Sequence, residues 1–166
     1  TTRVVRQLLD LHRQATTEER QRQDVRHVVE KVMLLVRKKC EMHDIHVIFQ
    51  AEEDLPQIEL MPDAMHQVFL NLVLNAIDAM DQGGTLRVSV ARTAQPLGVL
   101  TKISDDGTGM PAERLQMVFD PFYSTKADGL GLGLYISQGN VQAHGGEIEV
   151  HSREGQGSTF TVWLPA

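Results

Sequence analysis

One segment of the sequence, residues 63 to 80, limits the possible folds more than any other. Its apolar side chains fall on nearly all sides of a helical projection, which is typical of a buried helix. Four polar residues nevertheless recur at helical spacing and form one stripe: Gln67, Asn71, Asn75 and Asp78. A buried amide without a partner costs about 1–3 kcal/mol, so the stripe must face water, a ligand or another polar group. Two interpretations stay open from this helix alone: an amide network between core helices, or a ligand site.

Hydrophobic periodicity divides the rest of the chain into helices and strands. Helices are predicted over residues 3–15, 25–43, 112–118 and 132–143, with Asp24 as the N-cap of the second. Strands are predicted over residues 46–50, 85–91, 99–104, 147–152 and 159–164. The polar stretch 16–23 is interpreted as a joint, and 105–130 as a long functional connection. This alternation predicts an α+β fold with helices on one face of a mostly antiparallel sheet.

Charge and composition exclude several classes of function. The 166 residues include 16 basic and 22 acidic side chains, a net charge of −6 that argues against a nucleic-acid partner. The single cysteine, Cys40, excludes an internal disulfide and a zinc cluster, and we expect it to be inert packing. No apolar run approaches the roughly 18 residues of a membrane span, so no membrane contact is expected. Since the chain begins inside a helical pattern, it is expected to be a piece of a longer protein.

Two glycine-rich clusters suggest places where backbone could approach a ligand. The run DDGTGM, residues 105–110, follows a predicted strand, and an aspartate there can accept a hydrogen bond from an amine. The run GLGLGL, residues 129–134, opens a helix, where backbone N–H groups at the positive end of the dipole can bind phosphate. It matches neither a Walker loop nor a dinucleotide fingerprint. Each cluster alone is also compatible with an ordinary turn.

Together and in this order, the polar helix and the two clusters resemble the ATP-binding catalytic domain of sensor histidine kinases, in the GHKL superfamily. QVFLNLVLNAIDAM from Gln67 resembles the asparagine box, DDGTGM the first glycine box, FDPFYSTK from Phe119 the phenylalanine box, and GLGLGL the second glycine box. AHGGEIEVHS and GSTFTVWLP resemble the closing segments. The resemblance covers residues 20–166 and implies a Bergerat-type two-layer α/β sandwich. It makes 21–166 the catalytic domain and 1–20 the end of a dimerisation helix with its joint.

The resemblance implies ATP and Mg²⁺ as ligands and assigns roles to matching residues. Asn75 matches the asparagine that binds Mg²⁺, and Asn71, one turn earlier, reaches the phosphates or a metal-bound water. Asp105 matches the aspartate that binds the adenine amino group. Lys126 is expected to contact the γ-phosphate, which makes Asn71, Asn75 and Lys126 the expected catalytic group. The expected nucleotide contacts further include Asp78, Gly107, Gly109, Met110, Gly129, Leu130, Gly131, Leu132, Gly133, Leu134 and Thr159.

Four other residues in or near these boxes have different expected roles. Phe119 and Phe122 are expected to anchor the connection by packing and not to touch the nucleotide. His66, on an adjacent face of the asparagine-box helix, is either a phosphate-side contact or an ordinary helix-surface residue. Gly139 interrupts the last helix at a cost of roughly 1 kcal/mol against alanine, and no functional reason for it is evident.

Asn71 separates two chemistries within the superfamily. Relatives of the Hsp90, gyrase and MutL kind carry a glutamate at this position, which activates water, whereas a neutral amide cannot act as a general base. The site is therefore expected to hold ATP for another nucleophile. Leu130 departs from the threonine that many relatives carry, so a nucleotide-sensing or interaction module without kinase activity is the alternative.

No histidine of this chain has the sequence context of a phosphoacceptor. Among seven histidines only His43 precedes an acidic residue, and neither proline nor threonine follows it. The phosphoacceptor is therefore expected upstream, on the protein's own dimerisation domain. The resemblance also implies a response regulator receiver domain as a partner, a homodimeric full-length protein and a cytoplasmic location in a bacterium.

Overall fold

The structure, a computed structural model, describes residues 19–125 and 131–166. Helices and strands alternate along these residues. The strands are β1 (Gln21–Gln23), β2 (Ile45–Ala51), β3 (Ile58–Leu60), β4 (Gly84–Ala94), β5 (Leu97–Asp105), β6 (Glu147–Arg153) and β7 (Gly157–Pro165). The helices are α1 (Val25–Met42), α2 (Pro62–Asp78), α3 (Ala112–Leu115) and α4 (Gly133–Ala143).

The main sheet has five strands in the order β2-β4-β5-β7-β6. Only β2 and β4 are parallel, and the other three pairings are antiparallel. Alternate residues of the central strand β5, such as Val99 and Ile103, are buried, while Lys102 between them is exposed. Helices α1, α2 and α4 contact the sheet at β2, β5 and β6 respectively. The arrangement confirms the predicted two-layer sandwich with helices on one face.

The core lies between the helices and the covered face of the sheet. Asp24 caps α1 by accepting a hydrogen bond from the Arg26 amide at 2.9 Å, as its position before the apolar stripe predicted. Phe69 and Leu72 of α2 are fully buried, and each such side chain stabilises the fold by about 1.5–3 kcal/mol. Cys40 is buried and free, consistent with packing. In the part of the chain that the structure describes, no helix is both long and apolar enough to cross a membrane.

The structure differs from the sequence prediction at the start of the domain. Residues 21–23, interpreted as part of a polar joint, form β1 and pair antiparallel with β3, which was not predicted. Both strands are only three residues long, which is too short for a strand pattern to be recognised, and β1 is entirely polar. The helix predicted over 112–118 ends at Leu115. The helix predicted over residues 3–15 lies outside the described residues.

Candidate active site

The asparagine box lies on α2, which begins at Pro62 with the fixed φ that favours a first helical turn. One side of this helix is fully buried at Val68 and Leu72. Asn71 and Asn75 are half-buried and one turn apart, so they project from the same side of α2. The helix thus holds two amides at the edge of the core, where they can meet both protein and ligand.

Asn71 faces the helix that follows the second glycine box. Its Nδ2 donates to Oγ of the buried Ser137 at 3.1 Å. At Gly133, in the first turn of α4, a Cβ atom would lie 2.6 Å from Asn71 Oδ1. Glycine is therefore required for the first turn of α4 to approach Asn71 this closely. The fold thus brings Gly133 of the second glycine box next to Asn71 of the asparagine box.

Asp105 ends strand β5 as a nearly buried carboxylate, 9% exposed. One oxygen accepts a hydrogen bond from the Gly107 amide at 2.9 Å. Burial raises the pKa of Asp105, and the amides of Gly107 and Ser158 partly oppose that rise while Asp106 adds to it. A buried carboxylate at a strand end is an acceptor that favours a donor ligand, and the exocyclic amine of adenine is such a donor.

The first glycine box is held in place by contacts on both sides. Gly107 lies so close to the carbonyl oxygen of Ala79 that a Cβ there would overlap it, and the Thr108 amide donates to that carbonyl at 3.1 Å. Gly109, at φ +65°, lies equally close to the Arg153 carbonyl. The two glycines thus allow the loop to pack between the end of α2 and the β6–β7 hairpin. This packing accounts for both glycines, and their contact with a nucleotide stays a prediction.

The two glycine boxes flank the same stretch of α2. The first touches Ala79 and the second touches Asn71, and eight helical residues separate these positions by about 12 Å. Asn75 lies between them. A ligand whose base bound at Asp105 and whose phosphates bound at α4 would therefore pass along this stretch.

Two of the predicted nucleotide contacts, Thr159 and Asp78, have other partners in this structure. In the β5–β7 register Asp105 lies opposite Ser158, and successive side chains of a strand alternate between faces. Thr159 therefore projects from the other face of the sheet, where its Oγ1 lies 2.9 Å from Ser104 Oγ. The register therefore places Ser158, and not Thr159, on the same face as Asp105.

Asp78 has a basic partner on α1. Its carboxylate lies 3.7 Å from Lys39 Nζ of α1, with both side chains about two-fifths exposed. Asp78 lies three residues after Asn75 on the same side of α2, and its carboxylate reaches Lys39 of the neighbouring helix. An exposed pair of this kind contributes little to stability, and contact of Asp78 with a nucleotide stays a prediction.

Ser158 is a neighbour of Asp105 that the sequence pattern does not single out. The hydroxyl of Ser152 accepts from the Met110 amide at 2.8 Å and donates to the Gly157 carbonyl at 3.0 Å. Ser152 already donates its only hydroxyl proton to the Gly157 carbonyl. In the 2.8 Å contact between the Ser152 and Ser158 hydroxyls, Ser158 must therefore be the donor. Ser158 Oγ therefore keeps lone pairs for a ligand donor on the same face as Asp105. No short motif signals this role, because it depends on strand register.

The second glycine box and the phenylalanine box are joined through the backbone. Gly131, at φ +69°, accepts a hydrogen bond from the Phe122 amide at 2.9 Å. Phe119 packs edge-to-face on Phe160 with ring centroids 6.5 Å apart, which confirms it as an anchor. Phe122, by contrast, is 62% exposed and does not anchor the connection with its side chain.

Two leucines of the second glycine box, Leu132 and Leu134, take part in packing. Leu132 is buried and Leu134 is partly buried against the core, and their contact with a nucleotide stays a prediction. Met110 packs against the core in the same way. The predicted contacts Lys126, Gly129 and Leu130 lie outside the described residues.

His66 lines a cleft on another part of the surface. This cleft has a volume of about 390 Å³ and is bordered by Gln21 and Gln23 of β1, Lys31 of α1, and Asp63 of α2. Among the described residues, Ser137 and Gly107, which contact Asn71 and Asp105, do not border it. The geometry therefore favours the interpretation of His66 as a helix-surface residue.

Comparisons with known proteins agree with this geometry. Residues 61–166 match the family described as histidine kinase-, DNA gyrase B-, and HSP90-like ATPase. The chain is 40% identical over 163 residues to the sensor histidine kinase ZraS of Escherichia coli (strain K12), covering 98% of this chain and 34% of that protein. It is 34% identical over 141 residues to sporulation kinase E of Bacillus subtilis (strain 168), covering 85% of this chain and 19% of that protein. The chain thus spans about a third or less of these relatives.

Solved structures show the same fold. The catalytic domain of histidine kinase ThkA in a nucleotide-free form superposes with a TM-score of 0.78 at 29% identity, covering 89% of this chain and 95% of that one. Full-length ShkA in complex with AMPPNP gives a TM-score of 0.82 at 24% identity, covering 95% of this chain and 34% of that one, and supports the fold alone. Residues of both glycine boxes pack against the part of α2 that carries Asn71 and Asn75. The chain belongs to the histidine kinase-, DNA gyrase B-, and HSP90-like ATPase family, whose domain binds ATP.

Proposed function

We propose that this domain binds Mg·ATP and presents its γ-phosphate to a histidine on the dimerisation domain of the same protein. The observation that carries the proposal is Asn71, a neutral amide at the position where hydrolytic members of the family hold a general base. Its Nδ2 is engaged by Ser137, so the side chain is positioned by α4. The similarity to sensor histidine kinases over nearly the whole chain supports the same conclusion.

The adenine would be recognised at the end of β5. Asp105 and Ser158 lie opposite each other on the covered face, and both present acceptors. The 6-amino group of adenine carries two N–H donors and suits this pair, whereas the 6-oxo group of guanine would place a third acceptor beside them. The proposed base contacts are therefore Asp105 and Ser158.

The phosphates would lie at the other end of the α2 stretch. The first turn of α4 offers backbone N–H groups, and Gly133 lets that turn approach Asn71. The amide oxygen of Asn75 is a ligand type that Mg²⁺ accepts, and the bound ion would neutralise charge on the phosphates. Lys126 is proposed as a γ-phosphate contact.

With these residues the site orients ATP but supplies no base for water. Phosphoryl transfer depends chiefly on positioning and charge stabilisation, so the reaction would wait for a nucleophile held in line. We therefore propose that the acceptor is the imidazole of an upstream histidine, and that a response regulator receiver domain then takes the phosphoryl group. A cytoplasmic location and a homodimeric full-length protein belong to the same proposal.

Binding and transfer can be tested separately. Calorimetry with ATP and GTP, with and without Mg²⁺, should show Mg²⁺-dependent binding that prefers ATP. Asn75→Ala should remove the Mg²⁺-dependent part, and Gln82→Ala, an exposed amide beyond α2, serves as the control. Equal affinities for ATP and GTP would contradict the assignment of Asp105.

For transfer, the chain is incubated with labelled ATP alone and with its own dimerisation hairpin. Alone, it should neither label itself nor release phosphate quickly, whereas the hairpin should gain an acid-labile label on one histidine. Binding without any transfer would favour the alternative, a nucleotide-sensing module without kinase activity. Rapid phosphate release would instead favour the water-activating ATPase.

A further inference from the structure

A buried histidine that the proposed chemistry does not use joins the two helices of the site. His144 caps the C-terminal end of α4 and is 4% exposed. Its Nε2 lies 2.9 Å from the backbone nitrogen of Met61, which immediately precedes α2. Its Nδ1 lies 2.6 Å from the carbonyl oxygen of Asn140, one turn earlier in α4. The imidazole therefore bridges the end of one helix and the start of the other.

These contacts determine the protonation state of the ring. The Met61 amide can only donate, so Nε2 must be the unprotonated nitrogen. The Asn140 carbonyl can only accept, so the proton must be on Nδ1. His144 is accordingly neutral, with its hydrogen on Nδ1, in this arrangement. A second proton on Nε2 would oppose the Met61 N–H group.

The contact to Met61 has the geometry of a helix cap supplied from elsewhere in the chain. The first N–H groups of a helix lack intrahelical partners and need acceptors. Within the described residues, Met61 at the N-cap of α2 makes no side-chain capping hydrogen bond of its own. His144, 83 positions later, supplies an acceptor at the helix start. The position of α2 along its axis is thus tied to the end of α4.

The same two helices meet again at the asparagine box. There Asn71 contacts Ser137, and Gly133 allows the close approach. The start of α2 contacts the end of α4 through His144, and the middle of α2 contacts the first half of α4 through Asn71. The two helices therefore run in opposite directions and are held together at two separate points. A shift at the His144 end would change where the asparagines of α2 lie relative to the first turn of α4.

We propose that His144 is a positioning residue of the nucleotide site, whose neutral imidazole clamps the start of α2 to the end of α4. This inference rests on the proposed function, because its consequence is a change in nucleotide affinity. Without the acceptor, the helix pair would open locally and ATP binding would have to restore the closed arrangement. Apparent affinity then falls in proportion to the closed fraction.

Two substitutions separate the clamp from general packing. His144→Gln can place an amide oxygen near the position of Nε2, whereas His144→Asn is too short to reach Met61. We expect the asparagine variant to bind Mg·ATP about fivefold more weakly, the effect of one buried hydrogen bond on an equilibrium, and the glutamine variant to recover most of this loss. His151→Asn on the exposed face of β6 is the matched control and should bind like the wild type.

Local measurements test the geometry without ATP. Nitrogen-15 spectra of the wild-type imidazole should show a protonated Nδ1 and an unprotonated Nε2. Hydrogen exchange of the Met61 amide should accelerate about tenfold or more in His144→Asn but not in His144→Gln. Amides in β4 and β5 should keep their protection, which would show that the fold is intact. A wild-type ring protonated on Nε2, or unchanged Met61 exchange in the asparagine variant, would overturn the inference. If the wild type itself bound no ATP, the proposed function would fail while these local measurements still decided the clamp.

Discussion

Replacing Asp105 with asparagine should change nucleotide affinity and fold stability in opposite directions. The carboxylate is 9% exposed and accepts from the Gly107 amide at 2.9 Å, with the Ser158 amide as a second favourable neighbour. In Asp105→Asn the side-chain oxygen would turn to these two donors, and the NH₂ group would face the ligand. The NH₂ donor of the variant would then face the amino group of adenine, which is also a donor, and the hydrogen bond would be lost. Because a hydrogen bond to a charged group contributes about 1.5–3 kcal/mol, we expect ATP affinity to fall roughly 10- to 100-fold.

The effect on stability follows from the pKa of the same group. Burial raises the pKa of Asp105 in the folded state, the amides of Gly107 and Ser158 lowering it in part. The native state therefore binds more protons than the unfolded state between the two pKa values, and stability from this group decreases as pH rises through that window. Asparagine removes this dependence. The difference in Tm, variant minus wild type, should therefore be more positive at about pH 7 than at about pH 4.

Calorimetry with ATP and GTP, combined with thermal unfolding at both pH values, measures both effects. Asp106→Asn is the matched control, because Asp106 is exposed and its bond from the Thr85 amide at 2.8 Å can be kept by an amide oxygen. It should leave the ATP preference intact. Unchanged ATP affinity in Asp105→Asn would refute the role of Asp105, and a Tm difference without pH dependence would refute the electrostatic reasoning.

Three further predictions concern the second glycine box, the helix after it and the connection before it. Gly133→Ala should weaken ATP binding, because its Cβ would lie 2.6 Å from Asn71 Oδ1 and displace that amide; calorimetry that shows unchanged affinity would contradict this. Gly139→Ala should stabilise the domain by about 0.5–1 kcal/mol, since a Cβ there meets no atom of the described residues within 4 Å, and denaturant unfolding measures the gain. The segment 111–129 is expected to act as a lid over bound nucleotide, so its hydrogen exchange should slow when a non-hydrolysable ATP analogue is added; equal exchange with and without the analogue would indicate a rigid loop.

The common side of Asn71 and Asn75 could be predicted from the amino-acid sequence because their spacing is local. Asn71 and Asn75 lie one turn apart on one helix, so their common side follows from helical periodicity alone. The neutral amide at Asn71 already favoured transfer to another nucleophile over hydrolysis. The layered α+β fold likewise followed from the order and period of apolar residues, and the structure confirms it.

Long-range register and packing decided what local pattern could not. A shift of one residue in pairing moves a side chain to the other face of a sheet, so only the β5–β7 register could show that Ser158, and not Thr159, accompanies Asp105. The packing of α1 beside α2 brought Lys39 close to Asp78, a contact that no motif encodes. The role of Gly107 depends on the Ala79 carbonyl. Each of these outcomes depends on the distance between segments far apart in the chain, which is established only when the helices pack on the sheet.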